Sequence, residues 1–301
     1  MSIARVAAAS AGAVLFAMSG AFAAGPVFTV DQPQFLAPYD ERPAVSAFNG
    51  KFETAYVWSR AGEAGSGDDF SATGALAFPL GNRFGLQVDG GFAGLRGSAE
   101  TFGVGAHLFW RRPETGLVGL YGDFHRVSGS DLDVWRLEVE GELYLGRFSL
   151  EGAAGAETVR GPGDRETYVS GEIVAAYYPT DDLRIHGGVG SRFDRAFARI
   201  GAEAILPIAA NNVALFADGT FGEDLTTIRA GVRVYFGAGG KSLIARHRED
   251  DPAIRLFATP FPVNAPAAAA GGEAGTGEGG GSEDLGGGGG IPACLDGVCY
   301  Y

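Results

Sequence analysis

Between Val134 and Gly146 the chain reads VWRLEVEGELYLG. Arg136, Glu138, Glu140 and Glu142 share one parity, and Trp135, Leu137, Val139, Leu143 and Leu145 share the other. Successive side chains of an extended chain point to opposite faces, so this is a ribbon with one charged and one oily face. The same test works along most of the chain from Ser46 to Gly237, and no helical period interrupts it. Phe102, Val104, Ala106, Leu108 and Trp110 oppose His107 and Arg111. Ile228, Ala230, Val232, Val234 and Phe236 oppose Arg229, Arg233 and Tyr235, and Ile200, Ala202, Ala204 and Leu206 oppose Arg199 and Glu203.

About twelve such runs can be counted: 46–60, 68–80, 82–95, 99–112, 116–127, 132–145, 147–159, 166–179, 182–192, 195–208, 211–221 and 225–237. Their connections alternate in kind. Tight breaks (81–82, 113–115, 146, 180–181, 209–211) alternate with polar, often longer ones (62–68, 96–100, 127–132, 161–166, 193–195, 222–224).

Alternation alone does not say which face meets water, because a half-buried soluble strand has the same pattern. Three features decide it. The runs are mostly about 11 to 15 residues, whereas soluble strands average about five or six and a tilted membrane strand needs about 9–11. Aromatic residues gather at the run ends. Trp58, Phe102, Phe124 and Trp135 lie toward one end, and Phe78, Phe84, Trp110, Phe148, Tyr177 and Phe236 toward the other. Two such belts suit headgroup depth on both sides of a bilayer. The connections, finally, alternate as in membrane barrels, with tight turns on the periplasmic side. The predicted fold is therefore all-β: a transmembrane antiparallel β-barrel of about twelve strands over 46–237, oil outward and charge inward, with both barrel ends in the periplasm. A soluble periplasmic β-sandwich is the competing architecture.

The flanking segments differ in character. Residues 1–23 carry Arg5, an apolar stretch and the small-residue site Ala21-Phe22-Ala23, which predicts a secretory signal peptide. Residues 24–45 contain Pro26, Pro33, Pro38 and Pro43 and read as an N-terminal periplasmic extension. Residues 238–258 form a charged post-barrel segment, expected to be an exposed helical turn or two with His247 in solvent. Residues 259–290, rich in Pro, Ala and Gly, read as a flexible linker. The last stretch, 291–301, brackets an Asp-Gly turn between Cys294 and Cys299, and an exported compartment permits a disulfide between them. Such a tethered knob predicts contact with peptidoglycan or a periplasmic protein.

Charge narrows the function classes. A formal net charge of -13 with only Lys51 and Lys241 as lysines argues against nucleic acid as a partner. On the polar parity the acids Glu53, Asp89, Asp123, Glu138, Glu140, Glu142, Glu151, Glu157, Glu172, Glu203 and Asp218 outnumber the bases Lys51, Arg111, Arg136, Arg147, Arg184, Arg199, Arg229 and Arg233. In a closed ring of twelve, the acid ladder Glu138, Glu140 and Glu142 faces Arg229 and Arg233 across the lumen, with Arg199 nearby. With Arg136, these seven residues are the candidate pore lining. Two readings stay open: a water-filled pore in which the charges select ions or small solutes, and a closed, structural or anchoring barrel locked by Arg–carboxylate networks.

No catalytic motif accompanies them, and no cofactor or metal is expected. GxSxG, HExxH, P-loop and zinc spacings are missing from the sequence. His125 with Ser128, Ser130 and Asp123 is the nearest approach, but His125 and Ser128 sit on opposite parities, so His125 reads as a solvated rim residue.

Residues 46–237 resemble a bacterial outer-membrane β-barrel of the porin-like kind, and TTIRAGVRVYFG (226–237) resembles a barrel-closing strand with its terminal aromatic. The resemblance is one of pattern. It implies a Gram-negative outer membrane, lipid as the surrounding partner, insertion by the barrel-assembly machinery and a role in transport. In such barrels the closing aromatic usually ends the chain, whereas here a long tail follows Phe236.

Overall fold

In a computed structural model, residues 42–61, 65–94, 100–128, 132–161, 164–223, 225–237, 239–250, 252–257, 262–264, 294–295 and 298–300 are described. The segment expected to be a signal peptide and most of those expected to be the N-terminal extension and the linker lie outside the described residues.

Twelve antiparallel strands close into a barrel: β1 (Asn49–Ala61), β2 (Gly65–Leu80), β3 (Phe84–Ala93), β4 (Thr101–Arg112), β5 (Gly116–Val127) and β6 (Asp133–Leu145) are followed by β7 (Phe148–Gly161), β8 (Asp164–Thr180), β9 (Leu183–Arg192), β10 (Arg195–Leu206), β11 (Val213–Gly222) and β12 (Leu225–Phe236). Each strand pairs with its sequence neighbours, and β12 returns to β1 with Gly50 opposite Phe236 and Ala61 opposite Leu225. Closure removes every sheet edge, as a chain in hydrocarbon must do to satisfy its backbone groups.

Parity decides the two faces. Leu137 is 64% exposed and Val232 40%, whereas Glu138 is 2% and Arg229 7% exposed. The exposed apolar side chains recur at alternate positions around the ring, among them Phe52, Val104, Leu120, Val139, Val189, Ile200 and Ile228. A soluble sandwich would bury this face, so that alternative falls. The end aromatics pair across strands: Phe124 lies 4.5 Å from Trp135, and Phe148 stacks on Tyr177 at 4.6 Å.

The two barrel rims differ less than the sequence suggests. Strands run further toward the polar connections than their alternation implies, so β2 starts at Gly65 and β8 at Asp164. Between β9 and β10 only Phe193 and Asp194 remain, both with positive φ (50° and 60°), as a two-residue type I′ hairpin demands. We call the rim holding these connections the loop rim. The opposite, turn rim holds the start of β1 and the end of β12, with Gly81 and Gly146 supplying left-handed turns (φ 70° and 61°).

The main correction concerns the flanks. The post-barrel stretch is not solvated; its short helix α1 (Leu243–Glu249) sits in the turn-rim mouth. Leu243 and Ile244 pack with Ala176, Tyr178, Ile205, Ala214 and Tyr235. Arg246 donates to Asn211 O and Asn212 Oδ1 (3.1 and 2.7 Å), and Arg248 to Phe148 O (3.0 Å). The end of the N-terminal extension joins it. Val45 packs with Ala77, Phe109 and Leu117, and Ser46 N donates to Glu249 O at 2.8 Å. A second sheet is formed by β13 (Pro262–Asn264), β14 (Cys294–Leu295) and β15 (Val298–Tyr300), antiparallel, with Cys294 opposite Cys299.

Candidate functional site: the lumen and the segment within it

All seven sequence-predicted lining residues lie on the lumen side of their strands, but they do not face one another across a void. On β12, Arg233 is held by Glu53 of β1 and Glu203 of β10, and Arg229 lies 3.4 Å from Asp218 and 3.6 Å from Glu53. Arg199 meets Glu172 at 3.2 Å. Arg136 is paired with Asp123 and lies over the Tyr121 ring at 5.0 Å. The expected transverse field, acid wall against base wall, is therefore closed locally by neighbouring strands. The reason is reach: an arginine meets a carboxylate one or two strands away more easily than one across the barrel.

The acid ladder is likewise engaged. Glu138 accepts from Ser170 Oγ (2.6 Å), and Tyr144 donates to Glu142 (2.8 Å). Glu140 contacts His107 Nδ1 at 2.9 Å, and the far ring nitrogen of His107 lies 3.1 Å from Asp89. A fully buried imidazole between two carboxylates is a strut of the wall, well below any rim.

What fills the centre is chain. After α1, residues 252–257 run into the lumen. Lys51 donates to Pro252 O, and Ile254 and Leu256 pack against Ala75. Arg255 reaches the middle, with one guanidinium nitrogen 3.0 Å from Glu138 and 2.9 Å from Glu172. Its guanidinium lies 5.3 Å from the Tyr121 ring, on which Arg136 also rests. Phe257 meets the His125 ring edge-on at 5.2 Å, and its carbonyl accepts from Arg229 at 3.1 Å. His125 is thus 1% exposed beside Asp123 (3.3 Å), a correction to its reading as a solvated rim residue. Ser128 lies in the turn just past β5, and Ser130 lies outside the described residues.

Among the cavities beside the segment are two of about 50 and 70 Å³. The first is lined by Lys51, Tyr178, Glu203, His247 and Ile254, and the second by Glu140, Glu172 and Arg255. At about 10–15 Å³ per water centre, each holds a handful of waters. The described lumen is therefore occupied. Twelve strands make a ring wider than the roughly eight whose side chains fill it alone, and here backbone makes up the difference.

His247 is the other correction. It does not stand in solvent: its Nδ1 lies 2.9 Å from the Tyr178 hydroxyl, and its Nε2 3.4 Å from the Tyr235 hydroxyl and 3.5 Å from Glu203. Burial pushes its imidazole below the ordinary range, with Arg184 and Lys51 adding to the effect and Glu203 opposing it.

Sequence reasoning missed Arg255 and the inward tyrosines. The available signal was the parity of Tyr144, Tyr178 and Tyr235: all three lie near the turn rim on the otherwise charged face, and bulky rings there call for a cover.

Apolar outside, charged inside and closed without an edge, the twelve-stranded barrel has the build of a membrane-spanning β-barrel. Compared with known proteins, the sequence matches no protein-family model and no curated protein. Among solved structures it is similar to the KdgM porin in complex with disordered oligogalacturonate, at 10% identity over 62% of this chain and 99% of that one, with a TM-score of 0.48. It is similar to an outer-membrane channel from Pseudomonas putida (12% identity, 67% and 100% covered, TM-score 0.46). A third is outer-membrane phospholipase A from Escherichia coli (14% identity, 67% and 94% covered, TM-score 0.41). Two channels and an enzyme, at such identities, carry no activity to this chain.

Proposed function

We propose that the protein is an outer-membrane channel for ions or small solutes whose conductance is held down by its own residues 241–257. The observation that carries this reading is that the obstruction is a separable stretch of chain. The wall pairs among β1, β10, β11 and β12 involve no residue of the segment, so its departure leaves a folded ring around an open, charged lumen. Acids exceed bases on that wall, which favours cations. The barrel-assembly machinery and lipid are its implied partners, and catalysis forms no part of the reading.

Planar-bilayer recording tests it. Full-length protein is expected to show rare or small openings, and a chain ending at Gly240 regular, cation-preferring steps. The density of wall ion pairs favours a second reading, a permanently closed structural barrel. Absence of conductance from the shortened, correctly folded chain would establish that one instead.

A further inference from the structure

We propose that the outer face of β5–β8 carries, at the loop rim, a binding site for the phosphorylated sugar headgroup of a membrane glycolipid. This goes beyond channel activity and rests only on the membrane-barrel reading, since the ligand belongs to the lipid around the wall.

Four charged residues lie on the oily parity of these four strands, and all four fall in one register row. Arg126 stands opposite Asp133, Asp133 opposite Arg160, and Arg160 opposite Arg165. They share their parity with Leu120, Leu137, Phe148 and Val169, all of them exposed. The row lies at the loop-rim ends of its strands, Arg126 and Arg160 being the last residues but one of β5 and β7. All three arginines are exposed, and Arg126 keeps 62% of its side chain accessible.

Three guanidiniums against one carboxylate make the row a local cation in a chain of net charge -13. Asp133 is taken in a fork by Arg126, Nε to Oδ1 at 2.8 Å and Nη2 to Oδ2 at 2.9 Å. Glu166, next to Arg165 in the chain, falls on the lumen parity, where Tyr168 donates to it. Like charges directly opposite each other destabilise a strand pair, and Arg160 with Arg165 is such a pair. An anion between them turns repulsion into attraction, and phosphate oxygens match the guanidinium fork.

The next outward row, about 7 Å nearer the membrane middle, supplies the rest of the site. It reads Phe124, Trp135, Thr158 and Thr167 across the same strands. Phe124 and Trp135 lie 4.5 Å apart, with the Arg126 guanidinium 5.6 Å from the Phe124 ring. The Thr158 and Thr167 hydroxyls are 3.0 Å apart. Exposed rings offer a flat face to a sugar, and the hydroxyl pair offers it donors and acceptors. The arginine row, three strand spacings or about 14 Å long, takes the phosphates. Headgroup depth is where an aromatic belt sets such a shelf.

Native mass spectrometry of the full-length protein in a neutral detergent, titrated with bisphosphorylated lipid A, tests the site. Arg160→Gln combined with Arg165→Gln should weaken binding about 30-fold, roughly fivefold per arginine. Arg160→Lys with Arg165→Lys keeps the charge, loses the fork and should lie between. Arg60→Gln is the control: Arg60 is exposed on the same parity and rim of β1. Its charge lies beyond the screening length, so binding should stay within about threefold of wild type. Removing two opposed like charges leaves the strand pair at least as stable, and heat-modifiable gel mobility checks that each variant folds. Lipid A binding by the double Gln variant equal to wild type overturns the site. Phosphatidylglycerol binding as tightly as lipid A, or displacement of lipid A by inorganic phosphate, overturns its assignment to a glycolipid. A folded wild-type chain that stays dissolved without detergent sinks the membrane barrel itself, and the site with it.

Discussion

Arg255→Glu is the most incisive perturbation of the lumen. The native guanidinium sits between Glu138 (3.0 Å) and Glu172 (2.9 Å), and all three groups are withdrawn from water. At an effective dielectric near 20, each contact represents about 5.5 kcal/mol of attraction before desolvation is charged against it. Breaking a buried pair by removing one partner has a net cost of about 3–5 kcal/mol. Reversal adds a third carboxylate to the cluster, so that range is a floor. Every 1.4 kcal/mol is tenfold in an equilibrium, so the ratio of unseated to seated segment should rise by roughly 100- to 4,000-fold. Single-channel recording reads this as open probability, with heat-modifiable gel mobility confirming that the barrel folds. Arg255→Lys, which keeps a charge but loses the planar fork, should lie between wild type and Arg255→Glu. An open probability for Arg255→Glu within tenfold of wild type, in a protein whose deleted form conducts, would refute the assignment of Arg255 as the latch.

Three further perturbations test separate steps. Val139→Arg puts a charge on the lipid face near mid-strand, and equilibrium refolding into vesicles should show a loss of about 2–4 kcal/mol; no loss would place that face out of lipid. At Gly155 an added Cβ would stand 2.0 Å from Leu137 O, so Gly155→Val should reduce the folded, fast-migrating gel species through separation of β6 and β7. For His247, burial holds the seated imidazole below the value near 6.5 that it regains when released. Below about pH 6.5 the released form therefore binds a proton that the seated form does not, and seating weakens as pH falls. Between pH 7.5 and 5.5 open probability should rise by up to about tenfold in wild type and less in His247→Gln, and a fall on acidification would contradict the sign.

The wall was legible because its rule is local. Period-two alternation places Glu138 and Leu137 on opposite faces whatever the tertiary surroundings, and the turn residues at Gly81 and Gly146 punctuate it. The occupancy of the lumen was not legible. A polar parity satisfied by water and one satisfied by an inserted arginine read identically in sequence, as Glu138 and Glu172 show. The segment itself also misled. KSLIARHREDDPAIRLF has the charge of an exposed stretch, yet its charges are those that a charged cavity accepts: Arg246, Arg248 and Asp250 are buried along with Leu243, Ile244, Ile254 and Leu256. Hydropathy measured against water misreads a segment whose surroundings are ionic.

The division of contacts also explains how such a barrel can be both tightly cross-linked and openable. Arg233 with Glu53 and Glu203, Arg136 with Asp123, and Arg192 with Glu157 join wall to wall, and they persist when the segment leaves. At the turn rim, Asn211, Asn212, Phe148, Tyr178, Tyr235 and Glu203 would lose their contacts with Arg246, Arg248 and His247; deeper in the lumen, the four groups Glu138, Glu172, Lys51 and Arg229 give up Arg255, Pro252 O and Phe257 O. An emptied lumen admits water to these four at once, so their desolvation cost is refunded as the pairs break. Removing only the Arg255 side chain returns no such water, because the backbone of 252–257 still fills the space. Point changes within the seated segment should therefore destabilise its seat by more than each contact contributes to holding the intact segment in place. Double-mutant cycles pairing Arg255→Ala with Glu138→Gln or Glu172→Gln measure that difference, and should return coupling larger than the segment's own release requires.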